Sequence, residues 1–578
     1  MVIKEIKIII RALDQCNLKC DYCYLKEKNT YKLNVKNALN LVESLLSVLS
    51  QSGVQKTTLV WHGGEPLLLG EDFFNQVFFQ SLIFGHKFNI EVRHSIQTNL
   101  TIPLSEKFIR ILQHYNVPIG TSIDLPTEYQ NDYRFGDNPL GKSTWMTNML
   151  NLEKYHVGRS INCVITDQNY THMREFYTFC KKLKTSFTIA PLIPNTENEI
   201  QTQYLSNEHY VTAFKDLYDV FTNDTNPVLA QTIVEMVSNI IVRRPRLCVF
   251  QRECNKNFLG LDAKGNLYQC ARYIGNERYR LCNILFDCDI NLVDKLSQCE
   301  QTPTPVVCKE CEFYEICNGG CPFMRELSNG VDTHCQAYKE IYSFIEKQSV
   351  KLELPSHPKP LTSFPKISRK HQDVVIIAPG ASADEVLCNN AVLHDIDIIT
   401  INSMFTTKRL KVDFCFTIDQ RVIKTLTNEI SSINETIFIT CFKNIDISLP
   451  NMYPIKTKKG IGFSADHSDG VYLCGSSSYA AMQFAFSLGY QHIYMIGFDL
   501  GTYKDRLYSI DYSINRPEQI KVSDRINRFE QESIAYKFLS ATHHDVLKRI
   551  RVVNLSKNHL LSHFIAVPEM PIEYITYN

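Results

Sequence analysis

Three cysteines near the start of the chain have the spacing C-x3-C-x2-C, at Cys16, Cys20 and Cys23. Three thiolates bind three irons of a 4Fe-4S cube and leave the fourth iron without a protein ligand. An iron with a free coordination position can bind a small molecule and pass an electron to it. The spacing therefore indicates chemistry at this loop, with a zinc site or buried thiols as the alternatives.

A second group of cysteines falls within residues 236–350, which hold eleven of the twenty cysteines of the chain. The spacing is Cys254-x10-Gly265-x4-Cys270 and Cys308-x2-Cys311-x5-Cys317-x3-Cys321, with Cys248 before these stretches and Cys335 after them. Since the start of the chain has no signal-peptide pattern, we interpret these thiols as metal ligands and buried groups rather than disulfides. A zinc ribbon is an alternative for the second stretch alone. The remaining Cys282, Cys288 and Cys299 are typical of small buried hydrophobic residues.

The segments that must position these groups alternate between strand and helix patterns over residues 4–192. Runs rich in β-branched residues predict six strands, at Ile6–Ile10, Thr57–Trp61, Ile90–Ile96, Pro118–Ile123, Ser160–Ile165 and Phe187–Ile189. Apolar residues at steps of three and four predict helices between them, such as Val35–Leu49 and Ser105–His114. The pattern predicts an open, parallel α/β barrel, in which the working loops follow the carboxyl ends of the strands.

Polar and glycine-rich motifs follow the next three predicted strands. They are Trp61-His62-Gly63-Gly64-Glu65-Pro66, Ser95-Ile96-Gln97-Thr98-Asn99 and Gly120-Thr121-Ser122-Ile123-Asp124. Gly63 and Gly64 allow the backbone to approach a ligand closely, and Glu65 can accept hydrogen bonds from an ammonium group. The motif that ends at Asn99 is less specific alone, because such residues also cap helices and turns.

The four strand-end motifs together resemble the radical S-adenosylmethionine (SAM) family, whose cluster loop has an aromatic residue before its last cysteine, here Tyr22. The resemblance implies a partial (β/α)6 barrel with SAM bound at the open iron. In the anaerobic sulfatase-maturing enzymes of this family, SAM is contacted at the positions that match Tyr22, Gly64, Ser122, Arg134 and Leu192. The predicted SAM site also contains Gly63, Glu65 and Asp124, and Arg134 suits the SAM carboxylate. No catalytic residue is predicted.

The second cysteine group resembles the SPASM extension of radical SAM enzymes, which implies two auxiliary 4Fe-4S clusters and three clusters in all. By the ligation of relatives, the first auxiliary cluster would be held by Cys248, Cys254, Cys270 and Cys321. The second would be held by Cys308, Cys311, Cys317 and Cys335. Sulfatase-maturing enzymes have an aspartate that accepts a proton after the cysteine matching Cys270, whereas this chain has Ala271 followed by Arg272. Formylglycine formation is therefore disfavoured.

Beyond the cysteine groups, a proline-rich stretch separates a further α/β domain. The predicted organisation is a radical SAM barrel at 1–235, a SPASM module at 236–350, a linker at 351–372 and a Rossmann-like domain at 373–578. The turn Ile377-Ala378-Pro379-Gly380-Ala381-Ser382 follows the first strand of that domain and could cradle a phosphate. The domain resembles a family of sialyltransferases that use cytidine-activated sugars and of 6-hydroxymethylpterin diphosphokinases, which implies a nucleotide or nucleotide-sugar ligand. Asn527 aligns where the sialyltransferases have a catalytic histidine, which argues against transferase activity.

Composition limits the partners. The chain has 578 residues, 44% of them apolar, and its 61 basic residues equal its 61 acidic residues. This balance gives no net attraction to nucleic acid or to an anionic membrane. No segment has the length of a membrane span, and we expect a cytoplasmic protein.

The predicted function is that of a radical SAM/SPASM enzyme. The resemblance implies an oxidoreductase-type reaction in which SAM is cleaved reductively to a 5'-deoxyadenosyl radical, with electrons from a flavodoxin- or ferredoxin-type reductant. The expected substrate is a peptide or protein, modified by oxidation or cross-linking, although the first strand begins too early for a separate peptide-recognition domain before it. The alternative is radical dehydrogenation or epimerisation of a carbohydrate or nucleotide-sugar. A third possibility is a redox sensor without SAM turnover.

Overall fold

The computed structural model describes most of the first 349 residues and parts of the rest. The described residues are 3–23, 25, 31–125, 134, 139–194, 205–243, 245, 247–287, 291–299, 302–328, 330–349, 367, 369–379, 383, 396–406, 411–418, 422–423, 427–433, 435–440, 452–458, 460–474, 476–498, 522–543, 546 and 549–552. The chain divides into two compact units, Met1–His357 and Pro358–Asn578. None of the described helices is long and apolar enough to cross a membrane.

The first unit is built on a nine-stranded sheet. Its strands are β1 (Glu5–Arg11), β2 (Lys56–His62), β3 (Glu91–Thr98), β4 (Ile119–Ser122), β5 (Arg159–Ile165), β6 (Ser186–Pro191), β7 (Phe258–Asp262), β8 (Asn266–Tyr268) and β9 (Arg280–Asn283). Their order is β6-β5-β4-β3-β2-β1-β7-β8-β9. The first six strands pair in parallel with their sequence neighbours, so their carboxyl ends lie along one edge. The six strands predicted for this region are confirmed.

Helices connect the parallel strands and cover the sheet. They are α1 (Val35–Gln51), α2 (Glu71–Phe88), α3 (Glu106–His114), α4 (Pro139–Lys154), α5 (Met173–Lys182), α6 (Asn207–Thr222), α7 (Gln231–Val242), α8 (Leu292–Gln298), α9 (Val306–Lys309), α10 (Tyr314–Cys317), α11 (Pro322–Leu327) and α12 (Cys335–Ser349). Asn34 and Ser105 cap α1 and α3, because each side chain accepts a hydrogen bond from the first turn. Apolar residues of the helices and strands form one core, in which Trp61 and Phe74 are fully buried.

The strands of the cysteine-rich segment extend this same sheet. β7 pairs in parallel with β1, and β8 and β9 continue as antiparallel strands. The predicted modules 1–235 and 236–350 therefore lie in one compact unit, and the boundary between them stays a prediction.

The second unit has a parallel sheet of seven strands with the order β14-β13-β12-β11-β10-β17-β18. These strands are β10 (Val374–Ile377), β11 (Asp397–Ile401), β12 (Phe414–Thr417), β13 (Ile437–Thr440), β14 (Met452–Pro454), β17 (Ile493–Ile496) and β18 (Ile550–Val552). A separate pair contains β15 (Thr457–Lys458) and β16 (Val471–Tyr472), and the described helices are α13 (Thr427–Ser432), α14 (Ser477–Ser487) and α15 (Val522–Thr542). The strand order reverses at β10, a position where open α/β sheets bind ligands.

Candidate functional site

The loops that follow β1, β2 and β3 meet at the carboxyl edge of the first sheet. Gly64 N donates to Leu13 O at 2.8 Å, and Glu65 N donates to Gln15 O at the same distance. These two hydrogen bonds join the loop of the glycine motif to the loop that carries the cysteine triplet. The motifs found in the sequence therefore come together in space.

The glycine motif makes this approach possible. Gly63 has a φ of +123°, and a Cβ there would lie 2.4 Å from Leu13 O. A Cβ on Gly64 would lie 1.9 Å from Gln15 O. We expected the two glycines to allow close approach to a ligand, and the structure gives them a further role, which is close approach to the cysteine loop.

Glu65 is fully buried between the loops. Its Oε1 accepts hydrogen bonds from Leu67 N at 2.9 Å and Thr98 Oγ1 at 2.6 Å, and its Oε2 accepts one from Asn99 N at 2.7 Å. Burial raises the pKa of Glu65 to about 7, against the three hydrogen bonds, which lower it. The carboxylate ties the loop after β2 to the end of β3, and a contact with an ammonium group stays a prediction.

Cys16, Cys20 and Cys23 are half-buried and lie in one loop. Burial raises the pKa of Cys20 to about 11; the Arg134 cation opposes this shift, and the Cys23 and Cys16 thiols add to it. The three sulfurs are thus near enough to interact electrostatically. No three His, Cys, Asp or Glu side chains among the described residues are grouped as a single metal ion would require. A 4Fe-4S cube needs a wider set, because each thiolate binds a different iron.

Beside the cysteine loop, Tyr22, Asp124 and Arg134 form a buried polar network. Arg134 Nε lies 3.3 Å from Asp124 Oδ2, Tyr22 OH donates to the same carboxylate, and Arg134 Nη2 donates to Tyr22 OH. Burial and the Asp124 carboxylate raise the pKa of Tyr22 well above its usual value. Cys20 Sγ lies 3.7 Å from Arg134 O, which connects this network to the triplet. Three predicted SAM contacts therefore lie together.

The other predicted SAM contacts lie at neighbouring strand ends. Ser122 Oγ, at the end of β4, accepts a hydrogen bond from Gln97 Nε2 at 3.3 Å. Leu192 N, after β6, donates to Ile165 O at 2.9 Å. Both residues are at the carboxyl edge of the sheet, where the cysteine loop also lies.

The second cysteine group is gathered into two sets. Burial raises the pKa of Cys254 to about 12, and the neighbouring thiols of Cys270, Cys321 and Cys248 add to the shift. A cavity of about 120 Å³ is lined by four further cysteines, Cys308, Cys311, Cys317 and Cys335. The two sets have the same members as those implied by the resemblance, and metal binding by either set stays a prediction.

Two charged residues for which the sequence predicts no role lie beside these sets. The buried Asp332 carboxylate accepts hydrogen bonds from Cys321 N at 2.8 Å and His334 N at 2.9 Å. Burial raises the pKa of Cys321, and the Arg272 cation opposes that shift. No spacing pattern in the sequence predicts a role for Asp332. Arg272 was visible in the sequence, but only as a departure from the family pattern.

In the second unit, strand ends approach each other closely at two places, the first of them where the strand order reverses. A Cβ on Gly497, which follows β17 and has a φ of +73°, would lie 2.2 Å from Ala378 O, after β10. Asn402 Oδ1, after β11, accepts a hydrogen bond from Thr417 Oγ1 at 3.1 Å. Gly380, Ala381 and Ser382 of the predicted phosphate turn lie outside the described residues, as does the side chain of Asn527.

The two units of the chain match different known proteins. A cysteine-type anaerobic sulfatase-maturating enzyme of Clostridium novyi is 28% identical over 378 residues, which are 60% of this chain and 96% of that protein. A serine-type anaerobic sulfatase-maturating enzyme of Bacteroides thetaiotaomicron is 25% identical over 384 residues, 59% of this chain and 91% of that protein. These relatives are radical SAM proteins.

A solved structure, native anSMEcpe with bound AdoMet, superposes with a TM-score of 0.53 at 23% identity and covers 60% of this chain and 98% of that chain. It shows a shared fold, consistent with the predicted partial barrel. Residues 404–567 match a different family, 3-deoxy-D-manno-octulosonic acid transferase WaaZ. This match corrects the resemblance to sialyltransferases and diphosphokinases: the strand-end turns from which we inferred it are common to many α/β folds and do not distinguish these families.

Proposed function

We propose that this chain is a radical SAM/SPASM enzyme that cleaves SAM reductively and abstracts hydrogen from a peptide or protein substrate. The observation that carries the proposal is the convergence of the cysteine triplet, the glycine motif and the Tyr22, Asp124 and Arg134 network at one sheet edge. The sulfatase-maturating relatives, which are matched over almost their whole length, support a protein or peptide substrate.

The chain's own residues would hold and orient the reactants. Cys16, Cys20 and Cys23 would hold a 4Fe-4S cluster, and Arg134, placed by Asp124 and Tyr22, would offer its remaining N–H donors to the SAM carboxylate. When bound, the cluster and SAM supply a 5'-deoxyadenosyl radical, which takes a hydrogen atom from the substrate. The protein supplies geometry and excludes water from the site.

Two auxiliary clusters complete the proposal. The two sets of four cysteines would saturate one 4Fe-4S cluster each, leaving electron transfer as their role, and a flavodoxin- or ferredoxin-type protein would deliver electrons to the chain. At the position after Cys270, the Ala271 methyl has no proton-accepting group, and its backbone packs against Gly260, where a Cβ would lie 2.7 Å from Ala271 Cα. We therefore propose a different oxidation, or cross-linking, rather than formylglycine formation.

The test uses the full chain, reconstituted anaerobically with iron and sulfide and reduced with dithionite. We expect about twelve irons per chain, four for each of three clusters, and 5'-deoxyadenosine detectable by mass spectrometry. Cys20→Ala should keep about eight irons and release no 5'-deoxyadenosine. The matched control Cys299→Ala, at a half-buried cysteine outside the proposed sets, should keep the parent's iron and activity.

The mass of a candidate substrate before and after the reaction tests the proposed modification. A peptide substrate should lose two hydrogens on oxidation or cross-linking, whereas a cysteine- or serine-containing sulfatase peptide should stay unmodified. SAM cleavage by Cys20→Ala at the parent's rate would refute the radical assignment, and formylglycine in the sulfatase peptide would refute the argument from Ala271.

A second candidate function is carbohydrate chemistry, favoured by the match of residues 404–567 to a 3-deoxy-D-manno-octulosonic acid transferase family. That sugar is, as its name states, an eight-carbon 3-deoxy sugar acid. The second unit would bind a nucleotide or nucleotide-sugar where the strand order reverses at β10, and the radical would dehydrogenate or epimerise the sugar. Calorimetry of the full chain with cytidine nucleotides tests this candidate, and absence of heat with any nucleotide would remove it.

A further inference from the structure

Asn99 lies where the loops that follow β1, β2 and β3 meet. Its side-chain Nδ2 is 3.6 Å from Cys16 Sγ and 2.8 Å from Asn17 Oδ1. Its backbone N–H donates to Glu65. Leu18 N, at 3.4 Å, is a second donor to the same sulfur. The contact between Asn99 and Cys16 joins the least specific of the four sequence motifs directly to the cysteine triplet.

The orientation of the Asn99 amide is determined by its neighbours. The nitrogen and oxygen of such a group are distinguished only by their hydrogen bonds. One atom lies 3.0 Å from Thr101 N, and a backbone N–H can only donate, so this atom is Oδ1. The other atom is therefore the nitrogen, and it is directed toward Cys16 and Asn17.

A closed ring of hydrogen bonds holds this amide. Thr101 Oγ1 donates to Asn99 Oδ1 at 2.7 Å, and Asn17 Nδ2 donates to Thr101 Oγ1 at 2.8 Å. The three side chains belong to the loops after β1 and β3, so the ring also holds those loops together. With the buried Glu65 holding its backbone, the Asn99 donor is placed before any cofactor binds.

We propose that Asn99 is a positioning residue that raises the reduction potential of the iron–sulfur cluster held by Cys16, Cys20 and Cys23. The inference rests on the proposed function, since it requires a cluster at these cysteines. Hydrogen bonds to the sulfur ligands are one of the factors that set the potential of such clusters. Reduction adds one electron from the reductant, and the extra negative charge is shared with the sulfurs. The Asn99 donor therefore stabilises the reduced form more than the oxidised form.

The test is a potentiometric titration of the reconstituted full-length chain with dithionite, followed by electron paramagnetic resonance. The signal that is absent in Cys20→Ala identifies the cluster at the triplet. Asn99→Ala should decrease the equilibrium constant for one-electron reduction threefold to tenfold, which makes the potential about 30 to 60 mV more negative. Asn99→Asp keeps the acceptor for Thr101 but removes the donor, so it should shift the potential in the same direction.

A matched control separates this effect from loosening of the loop. Asn148 Nδ2 holds the same loop by donating to Leu100 O at 2.9 Å and Ile102 O at 2.8 Å. Asn148→Ala should leave the potential unchanged. If both Asn99 variants fail to bind iron, the potential of Thr101→Val is measured instead. This variant keeps the Asn99 donor but loosens its orientation, so it should shift the potential in the same direction by a smaller amount.

Each outcome has one meaning. The proposal is overturned if the iron-loaded Asn99 variants keep the parent's potential, or if Thr101→Val keeps it when neither Asn99 variant binds iron. Equal shifts of the potential in Asn99→Ala and Asn148→Ala also overturn it. If Cys20→Ala loses neither iron nor signal, the cluster assignment itself is refuted, and with it the proposed function. The two failures are therefore distinguishable.

Discussion

Gly64 should not tolerate even a methyl group, because two backbones pass each other at this point. A Cβ on Gly64 would lie 1.9 Å from Gln15 O and 2.5 Å from Gln15 C, and these backbone atoms cannot be moved by a rotamer change. A carbon and a carbonyl oxygen in contact are about 3.3 Å apart. Gly64→Ala must therefore separate the two loops by about 1.4 Å.

The cost of this separation follows from the hydrogen bonds that it breaks. Those from Gly64 N to Leu13 O and from Glu65 N to Gln15 O are both 2.8 Å long, and the separation takes both beyond bonding distance. Each contributes about 0.5–1.5 kcal/mol net, so we expect Gly64→Ala to lose about 1–3 kcal/mol of stability. The displaced loop carries the cysteine triplet, and SAM affinity should fall about fivefold to 150-fold if the same energy is lost from binding.

Chemical denaturation measures the stability, and calorimetry of the reconstituted chain measures the SAM affinity. Gly70→Ala is the matched control: Gly70 has a φ of +87°, but nothing lies within 4 Å of a Cβ there. It should cost about 1–3 kcal/mol through backbone strain and leave SAM affinity unchanged. A Gly64→Ala protein with the parent's stability and a SAM affinity within about twofold of the parent's would refute the argument from close approach.

Two further predictions concern buried charges. Arg134→Gln leaves the Asp124 carboxylate without its cation and should weaken SAM binding at least about tenfold by calorimetry, whereas equal binding would remove Arg134 from the site. For Glu65, burial raises the pKa from 4.5 to about 7, so the folded state binds the proton more tightly than the unfolded state. The stability of the parent relative to Glu65→Gln should therefore fall by about 3 kcal/mol as the pH rises from 4.5 to 7 and then stay constant. Denaturation of both proteins across this range measures it, and a difference independent of pH would contradict it.

Local patterns in the sequence were sufficient to predict strands β1 to β6 of the first sheet. Ile6, Ile8 and Ile10 alternate with less buried residues along β1, and this period of two predicts a strand. β7 and β8 were not predicted. They are short, they lie among cysteines and turn residues, and β7 is stabilised by pairing with β1, a partner distant in sequence that no local pattern reveals.

The composition of the candidate site was more predictable than the roles of its residues. The motif residues were expected at strand ends, and they lie there. We predicted from the sequence that Glu65 accepts hydrogen bonds from a ligand. That prediction missed Leu67, Thr98 and Asn99, because no local pattern indicates that all three donate to the Glu65 carboxylate. Asn99 belongs to the motif at the end of β3, but its contact with Cys16 depends on how two loops meet, which spacing along the chain does not determine.

The pairing of β1 on both sides has a consequence for biosynthesis. β1 precedes the cysteine triplet and lies between β2 and β7, but β7 begins only at Phe258. During translation the amino-terminal strands emerge first, and β1 stays an edge strand until the ribosome has made the cysteine-rich segment. The triplet loop is then supported on one side only. If the triplet holds a cluster as proposed, iron should therefore enter it after β7 has joined the sheet, which requires synthesis of the chain through Asp262.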